Sequence, residues 1–171
     1  MATSTAVSHD IQQLLDKIKD IRIAMFTTAD QQGNLHSRPM FTQEPEADGT
    51  LWFFSEKESA KIHEVRQESH VNLGYADPGS NLYVSVSGRC RVVEDRQKIK
   101  ELWSEPLRGW FPDGPEDSNI ALLRVDIDSG EYWSAPSNVL VRAYAYAKAV
   151  FTGQPAHENS GPSEHARVNV K

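Results

Sequence analysis

The sequence is poor in cysteine and in positive charge. Its 171 residues include one cysteine, Cys90, so the chain can form neither an internal disulfide nor a Cys-x-x-Cys redox motif or cysteine-built zinc site. Eighteen lysines and arginines stand against 24 aspartates and glutamates. The net charge of −6 disfavours a nucleic acid as partner, because a phosphate backbone requires a cationic surface. A small anion remains compatible with this charge, since a few cations in one cleft dominate locally.

Long apolar runs are also missing. Nowhere does the chain approach the roughly 18 consecutive apolar residues that span a membrane. Its first ten residues lack the basic start and apolar run of an export signal. We therefore expect a cytoplasmic protein that does not associate with a membrane.

Familiar catalytic signatures are absent as well. The chain has no Gly-x-Gly-x-x-Gly, P-loop, His-Glu-x-x-His or Gly-x-Ser-x-Gly motif, which removes support for the common nucleotide-binding, zinc-protease and hydrolase classes. The six histidines lie on separate predicted elements without the spacing of metal ligands, so no metal site is predicted. The sequence identifies no catalytic residue.

Several short segments do show the two-residue alternation of a half-buried strand. The clearest covers residues 82–92, with Cys90 on its buried side, and a later strand continues past a bulge predicted at Gly130. Residues 11–21 have helical spacing instead. With turn-rich breaks such as 31–34 between strands, the pattern predicts about six antiparallel strands in a small barrel, with helices inserted or appended. Further helices are predicted over 58–68, 95–103 and 138–150.

One predicted strand runs directly into a helix, and this junction permits two interpretations. Free backbone N–H groups and the positive end of the helix dipole suit a phosphate, with Ser55, Ser59 and Lys61 adding donors and a cation. In the purely structural interpretation, Ser55 and Glu58 form a Ser-x-x-Glu capping box, while Lys57 and Lys61 share a solvated helix face.

Aromatic and proline-containing segments are further candidates for a ligand site. Pro39 interrupts a strand-like segment next to Arg38, which predicts an edge strand or bulge whose backbone groups can meet a ligand. Trp110 and Phe111 are adjacent in a loop, where they fill a core gap, cover a planar ligand or fill an interface, and we expect one of the two to fill the core. Trp133 fits either a core position or a ligand wall.

Residues 51–54 are apolar on both faces of their predicted strand. One face would meet the core, and the other needs a second dry cover, which a dimer partner or a ligand could supply.

Six short segments form an ordered set along the chain: Ser37–Met40, Leu51–Ser55, Ser59–Lys61, Trp110–Gly114, Leu122–Val125 and Tyr132–Trp133. Together they resemble the general stress protein 26 family, which belongs to the pyridoxamine 5′-phosphate oxidase-like FMN-binding split barrels. The resemblance spans roughly residues 10–153, and Glu164, His165 and Val168 look like the family's ending.

The resemblance implies an α+β fold, mainly β with flanking helices, built as a six-stranded antiparallel split β-barrel of the FMN-binding type. It implies a homodimer with FMN in the clefts between the subunits. The FMN-binding domain would cover residues 1–151, followed by a polar tail at 152–171. The cofactor-binding residues that the resemblance implies are Arg38, Pro39, Met40, Phe54, Ser55, Ser59, Lys61, Trp110 and Trp133.

These residues have different implied roles. Arg38, Pro39 and Met40 would line the flavin ring. Trp110 would lie near the open face of the ring, and Trp133 would reach it from the other subunit.

The remaining four residues would serve the other end of the cofactor. Phe54 and Ser55 would lead into the ribityl and phosphate region, and Ser59 and Lys61 would hold the phosphate.

Two departures from the family bear on activity. True pyridoxamine phosphate oxidases place an arginine immediately before the phosphate lysine, where this chain has Ala60, and they carry an Arg-x-His substrate motif that this chain lacks. We therefore expect an FMN-binding general stress protein, with FAD as a possible cofactor, acting as a flavin-dependent oxidoreductase or as a flavin carrier or sensor with an unidentified redox partner. Two alternatives stay open: a pyridoxamine or pyridoxine 5′-phosphate oxidase, and a non-enzymatic barrel that is cofactor-free or binds haem through a histidine such as His36.

Overall fold

A computed structural model of the chain describes residues 9–134, 150 and 164–169. Its helices and strands are α1 (His9–Ile18), β1 (Ile23–Ala29), β2 (Leu35–Phe41), β3 (Leu51–Glu56), α2 (Ala60–Gln67), β4 (His70–Asp77), β5 (Leu82–Val93), α3 (Arg96–Leu102), β6 (Ile120–Ser134) and β7 (Glu164–Asn169). Two short 3₁₀ helices, Glu105–Gly109 and Gly114–Glu116, connect α3 to β6. The helix predicted over 138–150 lies outside the described residues except for Val150.

The strands form one antiparallel sheet in the order β2-β1-β4-β5-β6-β3, and β7 also pairs with β6. Its two outer strands, β2 and β3, approach each other through an isolated bridge between Thr42 and Phe53 rather than through a full ladder. The sheet therefore curls into a barrel that stays open along one seam. This confirms the predicted split-barrel α+β fold.

The described residues contain seven strands rather than six. The additional strand, β7, falls in the segment interpreted as a polar tail, and it pairs with the second half of β6 from Ser129↔Asn169 to Ser134↔Glu164. Because β6 is 15 residues long, one of its sides pairs with β3 over its first half and with β7 over its second.

The long pairing of β5 with β6 confirms the predicted alternation and the burial of Cys90, which is 3% exposed. The predicted bulge position is wrong. The register shifts between Ser87 and Gly88, so the extra residue on β6 is Asp128 rather than Gly130. Gly130 instead makes room for α1, since a Cβ there would lie 2.4 Å from Leu14 Cδ2.

Two apolar clusters stabilise the fold. The larger fills the barrel and includes Leu51 and Phe53 together with α1 residues such as Leu14. The smaller lies on the other side of β3, where Trp52 packs with Ile99 of α3 and residues of the following 3₁₀ segment. The chain itself thus supplies the second dry cover that the doubly apolar strand requires, at least at Trp52.

Candidate functional site

A cleft of about 340 Å³ lies at the open seam, between the free edges of β2 and β3. Seven of the nine residues predicted from the sequence line it: Arg38, Pro39, Met40, Phe54, Ser55, Lys61 and Trp110. Its position follows from the topology, because the two outer strands leave their edges unpaired where a closed barrel would have a ladder. Pro39 fits the predicted edge position, since proline has no N–H to donate.

Apolar side chains form the walls of this cleft. Met40 is nearly buried on β2, and Phe54 of β3 contacts Phe111 with a ring-centroid separation of 6.3 Å. Of the two adjacent aromatic residues, one fills the core as expected: Phe111 is 3% exposed, whereas Trp110 is 69% exposed at the cleft rim. The cleft thus combines a fixed apolar wall with an accessible indole at its mouth.

Two cations, Lys61 and Arg38, line the cleft and lie close enough for their charges to interact; the part of the cleft beside them is here called its cationic end. Burial lowers the pKa of Lys61, and the nearby Arg38 guanidinium lowers it further. Arg38 Nη2 donates to Glu64 Oε2 at 3.0 Å, and Arg38 Nη1 donates to the Thr28 hydroxyl. The resemblance implies that Arg38 lines the flavin ring. The structure shows in addition that Arg38 lies near Lys61, at the cationic end of the cleft.

The capping box predicted for Ser55 and Glu58 is wrong. Helix α2 begins at Ala60 with Ser59 as its N-cap, so Glu58 lies before the helix rather than in its first turn. Ser55 is 3% exposed, its Oγ lies 3.0 Å from Ser59 Oγ, and it donates to the carbonyl of Glu56. Ser59 does not line the cleft, but its hydroxyl contacts the hydroxyl of Ser55, which does line it.

Lys57 and Lys61 do not share a solvated face. Lys57 Nζ pairs with Glu94 Oε2 at 2.8 Å, and neither residue lines the cleft. Lys61 is partly buried against the cleft. The two lysines therefore have separate environments despite their four-residue spacing.

Trp133 does not reach this cleft within one chain. Leu122 of β6 pairs with the cleft residue Phe54, whereas Trp133 is near the opposite end of β6. At about 3.3 Å per residue, Leu122 and Trp133 are roughly 35 Å apart along the strand. The Trp133 indole stacks on His165 with ring centroids 5.2 Å apart and planes 10° apart, and His165 Nε2 lies 2.7 Å from Glu131 Oε1. Trp133 is 36% exposed on the outer face of the sheet.

Sequence reasoning missed part of the lining, notably Gln43. Its backbone N–H donates to the carbonyl of Trp52 across the seam at 2.9 Å, while its side chain is 6% exposed. Among the described residues, Gln43 Nε2 has no hydrogen-bond partner. A buried amide donor at an apolar cleft fits a ligand that carries carbonyl acceptors. The other lining residues that were not singled out are Phe41 and Leu107. Glu56 also lines the cleft; it belongs to the same strand-to-helix junction as Ser55, where its negative charge is expected to repel an anion.

No metal-binding cluster of three histidine, cysteine, aspartate or glutamate side chains is found within residues 9–134, 150 and 164–169. His36 lies outside the cleft lining, with its Nε2 3.2 Å from Asp30 Oδ2. Over the same part of the chain, none of the helices is long and apolar enough to cross a bilayer.

A partly open antiparallel barrel with a ligand-sized cleft along its seam defines a split-barrel protein. The chain belongs to the pyridoxamine 5′-phosphate oxidase-like family, whose model matches residues 9–157. It is 30% identical to general stress protein 26 of Bacillus subtilis over 119 residues, which cover 67% of this chain and 81% of that protein. The resemblance found in the sequence is thereby confirmed.

Solved structures give the same result. A structure from Jannaschia sp. CCS1 that carries the name general stress protein 26 matches with a TM-score of 0.69 and 25% identity, over 95% of this chain and 99% of that one. The general stress FMN/FAD binding protein of Xanthomonas citri matches with a TM-score of 0.64 and 31% identity, over 75% of this chain and 90% of that one.

Proposed function

We propose that this protein binds FMN in the seam cleft and acts in flavin-dependent redox chemistry, either as an oxidoreductase or as a flavin carrier or sensor. The observation that carries the proposal is the composition of the cleft, whose mostly apolar lining includes two cations, Arg38 and Lys61, and one carboxylate, Glu56. A flat isoalloxazine ring requires apolar walls with a few hydrogen bonds, and a phosphate dianion requires cations and helix-terminal amides. Membership of the family, and the name of the Xanthomonas citri relative, support a flavin as the ligand.

The chain's own residues divide the task of binding. Lys61, in the first turn of α2, would hold the phosphate, with Ser55 and Ser59 hydroxyls nearby. Pro39 and Met40 would cover the ring, as the resemblance implies.

The rest of the cleft would orient the ring and exclude water. Gln43 Nε2, which has no hydrogen-bond partner among the described residues, would donate to a ring carbonyl. Trp110 at the rim would limit water access. A bound flavin supplies the electron-transfer chemistry, and these residues bind it and orient it.

The proposal includes a homodimer, because one face of the sheet remains apolar and exposed. Five residues, here called the outer band, are each at least 36% exposed: Ile23, Met25, Phe41, Tyr83 and Trp133. Strand register aligns most of them across the sheet, since Ile23 pairs with Phe41 and Tyr83 pairs with Trp133. Apolar patches of this kind mark interfaces.

A second copy is the occupant that fits the outer band, because Phe41 belongs both to the band and to the cleft lining. A partner docked on the band would therefore border the mouth of the cleft. Trp133 is too far from the cleft of its own chain to contact a ligand there. If it contacts the flavin, it does so as a wall that the other subunit supplies, and a dimer formed through the outer band supports this role.

The experiment that tests the proposal is a fluorescence titration of ligand-stripped protein with FMN and, in parallel, with riboflavin, which lacks the phosphate. We expect saturable binding of both, with FMN tighter. Lys61→Ala should weaken FMN about tenfold or more and leave riboflavin nearly unchanged, because a charge-assisted contact is lost.

Lys57→Ala is the matched control for this variant, since Lys57 pairs with Glu94 and does not line the cleft. Equal losses of FMN and riboflavin in Lys61→Ala would contradict the phosphate role. Absence of binding by the wild-type protein would contradict the flavin proposal itself.

A further inference from the structure

Glu64 stands out because it lies outside the cleft lining yet contacts a residue that forms it. It is on α2, three residues after Lys61, and its side chain is 13% exposed. Its carboxylate accepts from Arg38 Nη2 at 3.0 Å and from Thr28 Oγ1 at 2.5 Å. Arg38 also donates to Thr28, so the three side chains form a closed triangle between β1, β2 and α2.

We propose that Glu64 is a positioning residue that holds the Arg38 guanidinium toward the phosphate end of the cleft. This rests on the proposed function, since the ligand group in question is the phosphate of FMN. Glu64 and Thr28 each bind one terminal nitrogen of the guanidinium and thereby fix its plane. Arg38 is 25% exposed and lines the cleft, so the rest of its N–H fork is available to an anion.

The position of Arg38 explains why an anchor is needed. It lies on β2, an outer strand of the sheet, where a long side chain has solvent-facing alternatives. Its neighbour Lys61 carries the same charge, and the two cations repel each other. Glu56 and Glu64 both offset that repulsion, because their charges raise the pKa of Lys61, and Glu64 also pairs directly with Arg38.

The electrostatics of Glu64 agree with an anchored anion. Burial alone would raise its pKa, but the hydrogen bonds from Thr28 and Arg38 outweigh burial and lower it. Glu64 therefore stays ionised at neutral pH and keeps its hold on Arg38. Glu64 and Lys61 belong to the same helix. By binding Arg38, Glu64 therefore also fixes the distance between the Arg38 guanidinium and the backbone that carries Lys61.

The binding test compares FMN with riboflavin in Glu64→Ala, Glu64→Gln, Arg38→Ala and the double variant Glu64→Ala/Arg38→Ala. We expect Glu64→Ala to weaken FMN about tenfold without changing riboflavin. Glu64→Gln keeps an acceptor oxygen but loses the charge that offsets the repulsion between Arg38 and Lys61, so its FMN affinity should lie between those of the wild type and Glu64→Ala. The double variant should bind FMN no more weakly than Arg38→Ala, because Glu64 acts through Arg38.

Glu58→Ala is the control for simple loss of a nearby negative charge, since Glu58 is exposed and makes no contact with Arg38 among the described residues. Three results would overturn the positioning role: equal losses of FMN and riboflavin, additive losses in the double variant, or tighter FMN binding by Glu64→Ala. The last would mean that Glu64 opposes the phosphate by charge.

A second measurement needs no flavin and separates this inference from the proposed function. The Arg38 Nε–H signal, assigned by its loss in Arg38→Ala, should report a rigid side chain in the ligand-free wild type and a mobile one in Glu64→Ala. Glu64→Gln should resemble the wild type, which also guards against a folding defect in the alanine variant. A mobile Arg38 in the wild type would overturn the inference, whereas a rigid Arg38 in a protein that binds no flavin would overturn only the proposed function.

Discussion

At the scale of single residues, Cys90 shows how position decides reactivity. Its side chain is on the inward side of β5, and burial, followed by the charge of Asp126, raises the pKa of its thiol to about 12. The thiolate is the reactive form of cysteine, and its population at neutral pH is therefore negligible. Cys90 serves the core, and we assign it no redox role.

We expect the Cys90 thiol to be unreactive toward a thiol-specific reagent in the folded protein and to react in full once the chain is unfolded. A stopped-flow or absorbance assay with and without denaturant measures this directly. Rapid stoichiometric labelling under native conditions at neutral pH would contradict the buried position of the thiol.

The residues of the candidate site could be predicted only in part, for a physical reason. Lys61 and Pro39 are visible because their local context is unusual, one at the start of a helix and the other inside a strand. Gln43 and Glu64 have ordinary local contexts. Gln43 lines the cleft and Glu64 reaches Arg38 only because distant parts of the chain come together in the fold, which no short segment of sequence encodes.

At the scale of elements, the pairing of β5 with β6 is the longest among the described strands. The register shift lies next to Gly88, where a Cβ would come within 2.5 Å of the Asp126 carbonyl oxygen and 3.0 Å of Val125 Cγ1. A backbone carbonyl in a ladder cannot move away without disturbing its own hydrogen bond. Gly88 is thus required for the close approach of the two strands at the bulge.

Gly88→Ala should destabilise the protein by about 1–3 kcal/mol, the usual cost of forcing extra atoms into a packed site. Chemical denaturation with a two-state fit measures the difference. Gly109→Ala is the matched control, because a Cβ at Gly109 meets nothing within 4 Å. Similar free energies of unfolding for Gly88→Ala and the wild type would show that the bulge is not sterically constrained.

The elements themselves were largely predictable from periodicity. Strand β5 and helix α1 have regular apolar spacing because each buries a single face against the core. Strand β7 was missed, since it is short and mostly polar and is defined by its pairing with β6. The capping box failed for a related reason, because the sequence pattern did not fix where β3 ends and α2 begins.

At the scale of the whole molecule, the proposed dimer depends on the outer band. Met25 of this band is 45% exposed; it lies two residues from Ile23 on β1 and pairs with Pro39 of β2. Burying such side chains against a second copy would contribute about 25 cal/mol per Å² of apolar surface. A charge introduced at Met25 would have to be buried without a partner.

Met25→Lys should raise the dimer dissociation constant at least about tenfold, as measured by sedimentation equilibrium. Riboflavin binding should weaken with it, because the partner's wall is lost. Leu35→Lys is the matched control, since Leu35 is 73% exposed at the far end of the β1–β2 hairpin and outside the band. A wild-type protein that sediments as a monomer at all concentrations would contradict the dimer proposal.

The open seam has a consequence for local motion. A closed barrel can be opened only by breaking a full ladder, whereas here the bridge at Thr42 and Phe53 and the Gln43 N–H to Trp52 carbonyl bond hold the two edges together. Each hydrogen bond contributes about 0.5–1.5 kcal/mol. The free energy of opening the seam locally is therefore a small fraction of the free energy of global unfolding. We therefore expect amide protons beside the seam to exchange with solvent faster than those in β4 and β5. A molecule that contacts both strands across the seam would add interactions between them. Binding in the cleft and suppression of local opening of the barrel would then be coupled.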